Sequence, residues 1–144
     1  MSTAIVITSG KGGTGKTSIT GGVASCLAAL GHRVLCIDMD IGLRNLDISL
    51  GLSDRALMDF SDVAEGRCPL VRAAVNHPDL PGLALLTAPM TLSSALTEEA
   101  VRRMLDTARS LYDYVLIDSP AGLGAGFRMA CCGADRAIVV STND

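Results

Sequence analysis

Two lysines stand in a run of small residues near the start of the chain, Ser9-Gly10-Lys11-Gly12-Gly13-Thr14-Gly15-Lys16-Thr17-Ser18. That combination suits one task, the holding of a polyphosphate. Counted from Gly10, the run fits G-x-x-x-x-G-K-[ST], with Gly10, Gly15, Lys16 and Thr17 in the fixed positions. Glycines let the backbone wrap tightly and turn several N–H groups inward. A helix beginning at the end of the loop adds partial positive charge. Lys16 would reach the β- and γ-phosphates, and the Thr17 hydroxyl would meet Mg²⁺. The expected nucleotide contacts therefore run from Gly10 to Ser18. Lys11 is not required by such a loop, yet it too must lie close to any bound polyphosphate.

Carboxylates supply the complementary chemistry. Val34-Leu35-Cys36-Ile37-Asp38 reads as a strand and leads into Asp38-Met39-Asp40. Period-two alternation would put both carboxylates on one side, at the strand edge where phosphate loops lie in open α/β sheets. Carboxylates placed there bind Mg²⁺ through water or orient an attacking water. Tyr114-Val115-Leu116-Ile117-Asp118 is another apolar strand ending in aspartate. Downstream of a phosphate loop, that pattern sets a carboxylate near Mg²⁺.

The elements that must position these groups follow from periodicity. Ala4 to Thr8 is short, apolar and β-branched, as a buried parallel strand is. A helix is predicted from Gly15 or Lys16 to Leu30, with Ile19, Val23, Cys26, Leu27 and Leu30 facing the sheet and Gly31 as its stop. Gly21-Gly22 inside it costs about 1 kcal/mol per glycine, which close packing against the sheet would explain, with flexibility of this turn as the alternative. Ser53 to Phe60 is expected to begin a weak helix, with Ser53 or Asp54 as its cap and Leu57, Phe60, Val63 and Ala64 as its apolar side, and Leu70 to Val75 is expected to form a helical turn. A strand follows over Leu83 to Thr87. Thr97 should cap a helix from Glu98 to Leu111, with Val101, Met104, Leu105, Ala108 and Leu111 as its buried face. Phe127 to Cys132 reads as helix and Arg136 to Ser141 as a fifth strand. Strands alternating with helices predict an α/β fold, a parallel sheet flanked by helices, in a single domain over residues 1–144.

Composition narrows the function further. The chain is 49% hydrophobic with only 3% aromatic residues and no Trp, so its core must be mostly Ala, Val, Leu and Ile. A net charge of −3 and a pI near 5.2 leave no basic footprint for nucleic acid. No apolar run is long enough to span a bilayer. Met1-Ser2-Thr3 leads straight into the first strand, so a cytoplasmic protein without a signal peptide is expected. Cys26, Cys36, Cys68, Cys131 and Cys132 are odd in number and form no Cys-x-x-Cys, which points to reduced, buried thiols and not to a metal site. His32 and His77 are isolated and read as surface histidines.

Three stretches together resemble one family. Lys11-Gly12-Gly13-x-Gly15-Lys16-Thr17 resembles the deviant phosphate loop of the MinD/ParA family of ATPases. Asp38-x-Asp40-Ile41-Gly42-Leu43-Arg44-Asn45-Leu46-Asp47 resembles switch I of that family's MinD branch, and Asp118-Ser119-Pro120-Ala121-Gly122 has the form typical of the same branch. The resemblance implies a P-loop NTPase fold like that of the nitrogenase iron protein. It places the Asp118 strand beside the loop strand and the Asp38 strand beyond it. It implies ATP and Mg²⁺ as ligands, Lys11, Lys16 and Asp40 as catalytic residues, and Thr17, Asp40 and Asp118 at the metal. Lys11 would reach across an ATP-dependent homodimer, and Asn45 would belong to the mobile nucleotide-sensing segment. The implied role is control of cell-division septum placement, with an inhibitor and an activator as partners and a peripheral inner-membrane cycle for the full-length parent. The resemblance covers the N-terminal half of a family member. The fold is therefore expected to be truncated after the fifth strand, with the adenine-recognition loop and membrane-binding helix outside it. Three alternatives stand beside this reading. A ParA-like partitioning ATPase is disfavoured by Ile41 to Asp47. An iron–sulfur reductase is disfavoured by the lack of cysteine between Ser119 and Arg128. The third is a non-catalytic module that binds nucleotide weakly or not at all.

Overall fold

The computed structural model of the chain describes residues 2–9, 15–41, 45–53, 55–120 and 124–141. Among them, β1 (Thr3–Ser9), β2 (Val34–Asp38), β3 (Val75–Asn76), β4 (Leu83–Leu86), β5 (Tyr114–Asp118) and β6 (Arg136–Val140) form one sheet, in the order β3-β4-β2-β5-β1-β6. All pairings are parallel except that of β3 with β4. The expected placement of the Asp118 strand between the loop strand and the Asp38 strand is the observed one. The helices are α1 (Lys16–Ala29), α2 (Asn45–Ser49), α3 (Phe60–Ala64), α4 (Leu70–Ala73), α5 (Glu98–Leu111) and α6 (Ala125–Cys131).

Both sheet faces are covered, so the central strands are apolar on both sides. Val34 and Cys36 of β2 join Ala24, Ala28 and Leu46 in the core under α1 and α2. Leu35 and Ile37 join Val101, Met104 and Leu105 of α5, with Phe60 and Leu70, on the opposite side. The same alternation sends Asp38 and Asp118 to the α1 side. α5 forms as its sequence dictates: the Thr97 hydroxyl accepts the Ala100 N–H at 3.1 Å, Glu98 and Glu99 occupy the first turn, and Val101, Met104, Leu105 and Ala108 are buried.

Helix α1 departs from expectation. Its buried stripe is Lys16, Thr20, Gly21, Ala24 and Ala28. Ile19, Cys26 and Leu30 are exposed, Leu30 to 76%, while Val23 and Leu27 are half-buried. Small residues win the inner face because they let the helix backbone lie close to neighbouring elements. The Thr20 hydroxyl is satisfied internally, donating to the Lys16 carbonyl at 2.9 Å. Cys26 is thus an exposed thiol, not a buried one. The glycine pair also has a different cause: a Cβ on Gly21 would lie 3.0 Å from Ser49 Oγ, so the close neighbour is α2 and not the sheet, whereas Gly22 faces open space.

Two further expectations change. The helix expected to begin at Ser53 starts later, at Phe60, and runs to Ala64 as α3, so neither Ser53 nor Asp54 is its cap. Asp59 stays extended, bridges Thr87 at the end of β4, and caps α3 instead. Its carboxylate accepts the Ser61 and Asp62 N–H groups, and the Asp62 carboxylate accepts the Asp59 N–H, a reciprocal capping box. Leu70 to Val75 is helical only to Ala73, after which Val75–Asn76 runs antiparallel along β4. No helix among the described residues is long and apolar enough to cross a membrane.

Candidate functional site

The sheet register brings three strand ends level. Asp118 of β5 lies opposite Ile7 of β1 on one side and opposite Asp38 of β2 on the other. β1 runs into the glycine-rich loop, of which Gly10, Lys11, Gly12, Gly13 and Thr14 lie outside the described residues. Its last residue, Gly15, has φ +81° at the N-terminus of α1. That left-handed conformation is why this fixed motif position takes glycine.

α1 then presents two side chains to one carboxylate. Lys16 Nζ donates to Asp118 Oδ1, and the two side chains are 8% and 1% exposed. Thr17 Oγ1 donates to Asp118 Oδ2 at 2.9 Å. Both oxygens of a buried aspartate are thus engaged by the lysine and threonine of the motif, more than a hundred residues away in the chain. Burying that carboxylate without a cation and donors would be costly. Ser18 is exposed on the first turn.

The two aspartates of Asp38-Met39-Asp40 do not share an environment. The strand ends at Asp38, so period-two alternation does not carry to Asp40. Asp38 is 1% exposed, and burial pushes its carboxyl up to about 7. The Asp40 and Leu46 N–H groups pull against that rise, and the negative charge of Asp118 adds to it. Asp40 is half-buried. Burial raises its carboxyl, the Lys16 ammonium draws it back down, and Asp118 raises it. Asp40 therefore feels the same lysine and aspartate that form the buried pair. Asn45 is exposed and opens α2.

The donors gathered here are a hydroxyl and carboxylates, the hard oxygen set that suits Mg²⁺. Among the described residues no three His, Cys, Asp or Glu side chains form a metal cluster. Cys36, under the site, is an inert thiol: burial first, then Asp118, push it up. Two features of the neighbourhood escaped the sequence reading. The Ser119 hydroxyl is buried with no partner among the described residues. His77 is a staple rather than a free surface ring, with Nδ1 accepting the Asp79 and Leu80 N–H groups and Nε2 facing the Leu50 carbonyl at 3.1 Å. Only the polar loop around His77 hinted at this.

The sequence matches, over residues 2–144, the family described as an AAA domain. The chain belongs to that family of P-loop proteins, in its MinD/ParA branch. The septum site-determining protein MinD of Bacillus subtilis is 45% identical over 144 residues, which is 99% of this chain and 54% of that protein. Among solved structures, the MinC:MinD cell division protein complex of Aquifex aeolicus matches with a TM-score of 0.85 and 44% identity, over 96% of this chain and 55% of that one. The septum site-determining protein MinD of Pyrococcus horikoshii, complexed with Mg-ADP, matches with a TM-score of 0.84 and 30% identity, over 98% of this chain and 58% of that one. The chain spans about half the length of the curated relatives it matches.

Proposed function

We propose that residues 1–144 are a P-loop ATPase domain of the MinD type, which binds and hydrolyses ATP in a nucleotide-dependent homodimer and serves septum placement. The observation that carries this reading is the convergence of Lys16, Thr17 and Asp118 at the ends of the central strands. Gly10 to Ser18 would cradle the phosphates through backbone N–H groups and Lys16. When bound, Mg²⁺ would neutralise phosphate charge, and Thr17, Asp40 and Asp118 carry the oxygens to hold it.

Asp118 acts as a place-holder counter-charge. Before nucleotide arrives it keeps the Lys16 ammonium paired; an arriving phosphate takes over that partnership, so the buried lysine is never left alone. Asp40, close enough to feel Lys16, would orient the attacking water. Lys11 would stabilise transition-state charge on the facing subunit. The Aquifex relative solved as a MinC:MinD complex supports a division inhibitor as partner. An activator, a cytoplasmic pool and a membrane-surface cycle of the full-length protein complete the proposal.

The test is calorimetric titration of Mg-ATP into the chain and into Lys16→Ala. Binding by the parent and none by the variant is the expected result. A variant that titrates like the parent would overturn the assignment.

A further inference from the structure

We infer that Asp38 is a positioning residue, a carboxylate clamp that holds Asp40 and Leu46, the described residues on either side of the segment linking β2 to α2, and so sets where Asp40 stands. The inference rests on the ATPase reading for its consequence in turnover, but the clamp itself is a matter of geometry.

One Asp38 oxygen, Oδ1, accepts the Asp40 N–H at 2.9 Å, and the other, Oδ2, accepts the Leu46 N–H at 3.4 Å. A single side chain thereby ties the point where the chain leaves β2 to the point where it enters α2. The clamp has a rigid base, since Asp38 is the last residue of β2 and lies in register with Asp118. Its far jaw is equally anchored. Leu46 is fully buried among Ile7, Ala24, Cys36 and Leu50, and Ser49 rests against Gly21 of α1. The Asp40 carboxylate is carried between these fixed points, in the field of Lys16 and Asp118.

Among the described residues, the side chains of Lys16 and Thr17 donate to Asp118 and not to Asp38. The work of Asp38 is done through the backbone. A carboxylate is the side chain suited to it, because it offers two acceptors and no donor. An amide of the same shape keeps one acceptor and turns an N–H₂ group toward the second N–H. Asp38→Asn should therefore split the clamp where Asp38→Ala removes it.

The experiment follows amide hydrogen exchange by NMR in the chain and in both variants, with nucleotide and Mg²⁺ titrations on the same samples and turnover on the full-length protein. In Asp38→Ala the Asp40 and Leu46 amides should both exchange about ten-fold faster, while Cys36 and Leu116 amides are unchanged. In Asp38→Asn only one of the pair, Leu46, should be released. Affinity for ATP and for Mg²⁺ should stay near the parent's in both. kcat should fall by about a hundred-fold in Asp38→Ala with KM little changed, because a misplaced reacting group costs turnover more than binding; Asp38→Asn should recover part of it.

Protection of Leu46 that survives in both variants overturns the clamp. A Mg²⁺ affinity that falls in Asp38→Asn as far as in Asp118→Asn makes Asp38 a metal ligand and overturns it as well. Unchanged kcat alongside lost protection shows that the segment's position does not matter to turnover, and removes the positioning role. Should Lys16→Ala bind Mg-ATP like the parent, the ATPase reading fails, and the exchange data still decide the clamp.

Discussion

Asp118 has both carboxylate oxygens occupied and almost no contact with water. Removing Lys16 therefore does more than delete a phosphate ligand. Lys16→Met should destabilise the fold by about 3 kcal/mol at neutral pH, since it leaves a buried charge without its partner. Urea denaturation measures this, and adding Asp118→Asn should recover most of the loss; a double variant whose cost is the sum of the single ones would contradict the pairing. At this scale the sequence was informative where a motif fixes spacing. Lys16, Thr17 and Asp118 meet as their patterns implied. Asp38 and Asp40 looked alike on paper, and only the end of β2 between them shows that one is a buried acceptor and the other a half-exposed carboxylate. His77 was illegible for the same reason: its partners are backbone groups, which leave no trace in residue type.

Helix α1 shows how an element can be located correctly and oriented wrongly. Its span followed from Gly15 and Gly31, but its inner face could not be read from hydrophobicity, because Thr20, Gly21, Ala24 and Ala28 are selected for size. The glycine pair gives a sharp test. Gly22→Ala meets nothing within 4 Å and should stabilise the chain by up to about 1 kcal/mol. Gly21→Ala should fall short of that gain, because its methyl must displace Ser49; equal thermal shifts in the two variants would contradict the α1–α2 contact. The cap of α3 makes a second prediction. The Asp59 N–H, and after it Arg67 working against burial, hold the Asp62 carboxyl below its usual range. A depressed carboxyl contributes stability that is present above its unfolded value and lost as pH falls through the folded one. Exchange protection in α3 should accordingly decline below about pH 4, and Asp62→Asn should remove that dependence. A pH-independent α3 in the parent would rule out the reciprocal cap. Asp59 was hard to see as the cap because Ser53 and Asp54, the caps expected from sequence, offer the same chemistry; the bridge to Thr87, a tertiary contact, favours Asp59.

Over the whole molecule, the fold class was legible, since apolar strands and helices alternate, whereas the order of the central strands came from the family resemblance and not from periodicity. The antiparallel β3 was not legible, because a two-residue strand has too few positions to show a period. The far side of the sheet carries a visible liability. Among the described residues β6 pairs only with β1, and Val139 is 69% exposed with Ile138 at 37%. Such an edge invites strand pairing between chains. Sedimentation velocity across a concentration series should show self-association, and Val139→Lys should reduce it; identical behaviour of the two chains would show that this edge is not where they meet.

The strand order also sets a timetable. β1 is bonded only to β5 and β6, and β2 meets β1 only through β5. Once synthesised, β1 thus has no neighbour in this sheet until the chain has grown past Tyr114. At ordinary synthesis rates that interval is on the order of ten seconds. Through it, β2, β4 and β3 can pair among themselves, while β1 and the lysine that follows it wait without a sheet or a counter-charge. When β5 slots between the two halves it closes the sheet and delivers Asp118 to Lys16 in the same step. Birth of the site and the joining of β1 to the rest of the sheet are one event, so a nascent chain stalled before Asp118 carries the phosphate loop but no place to use it.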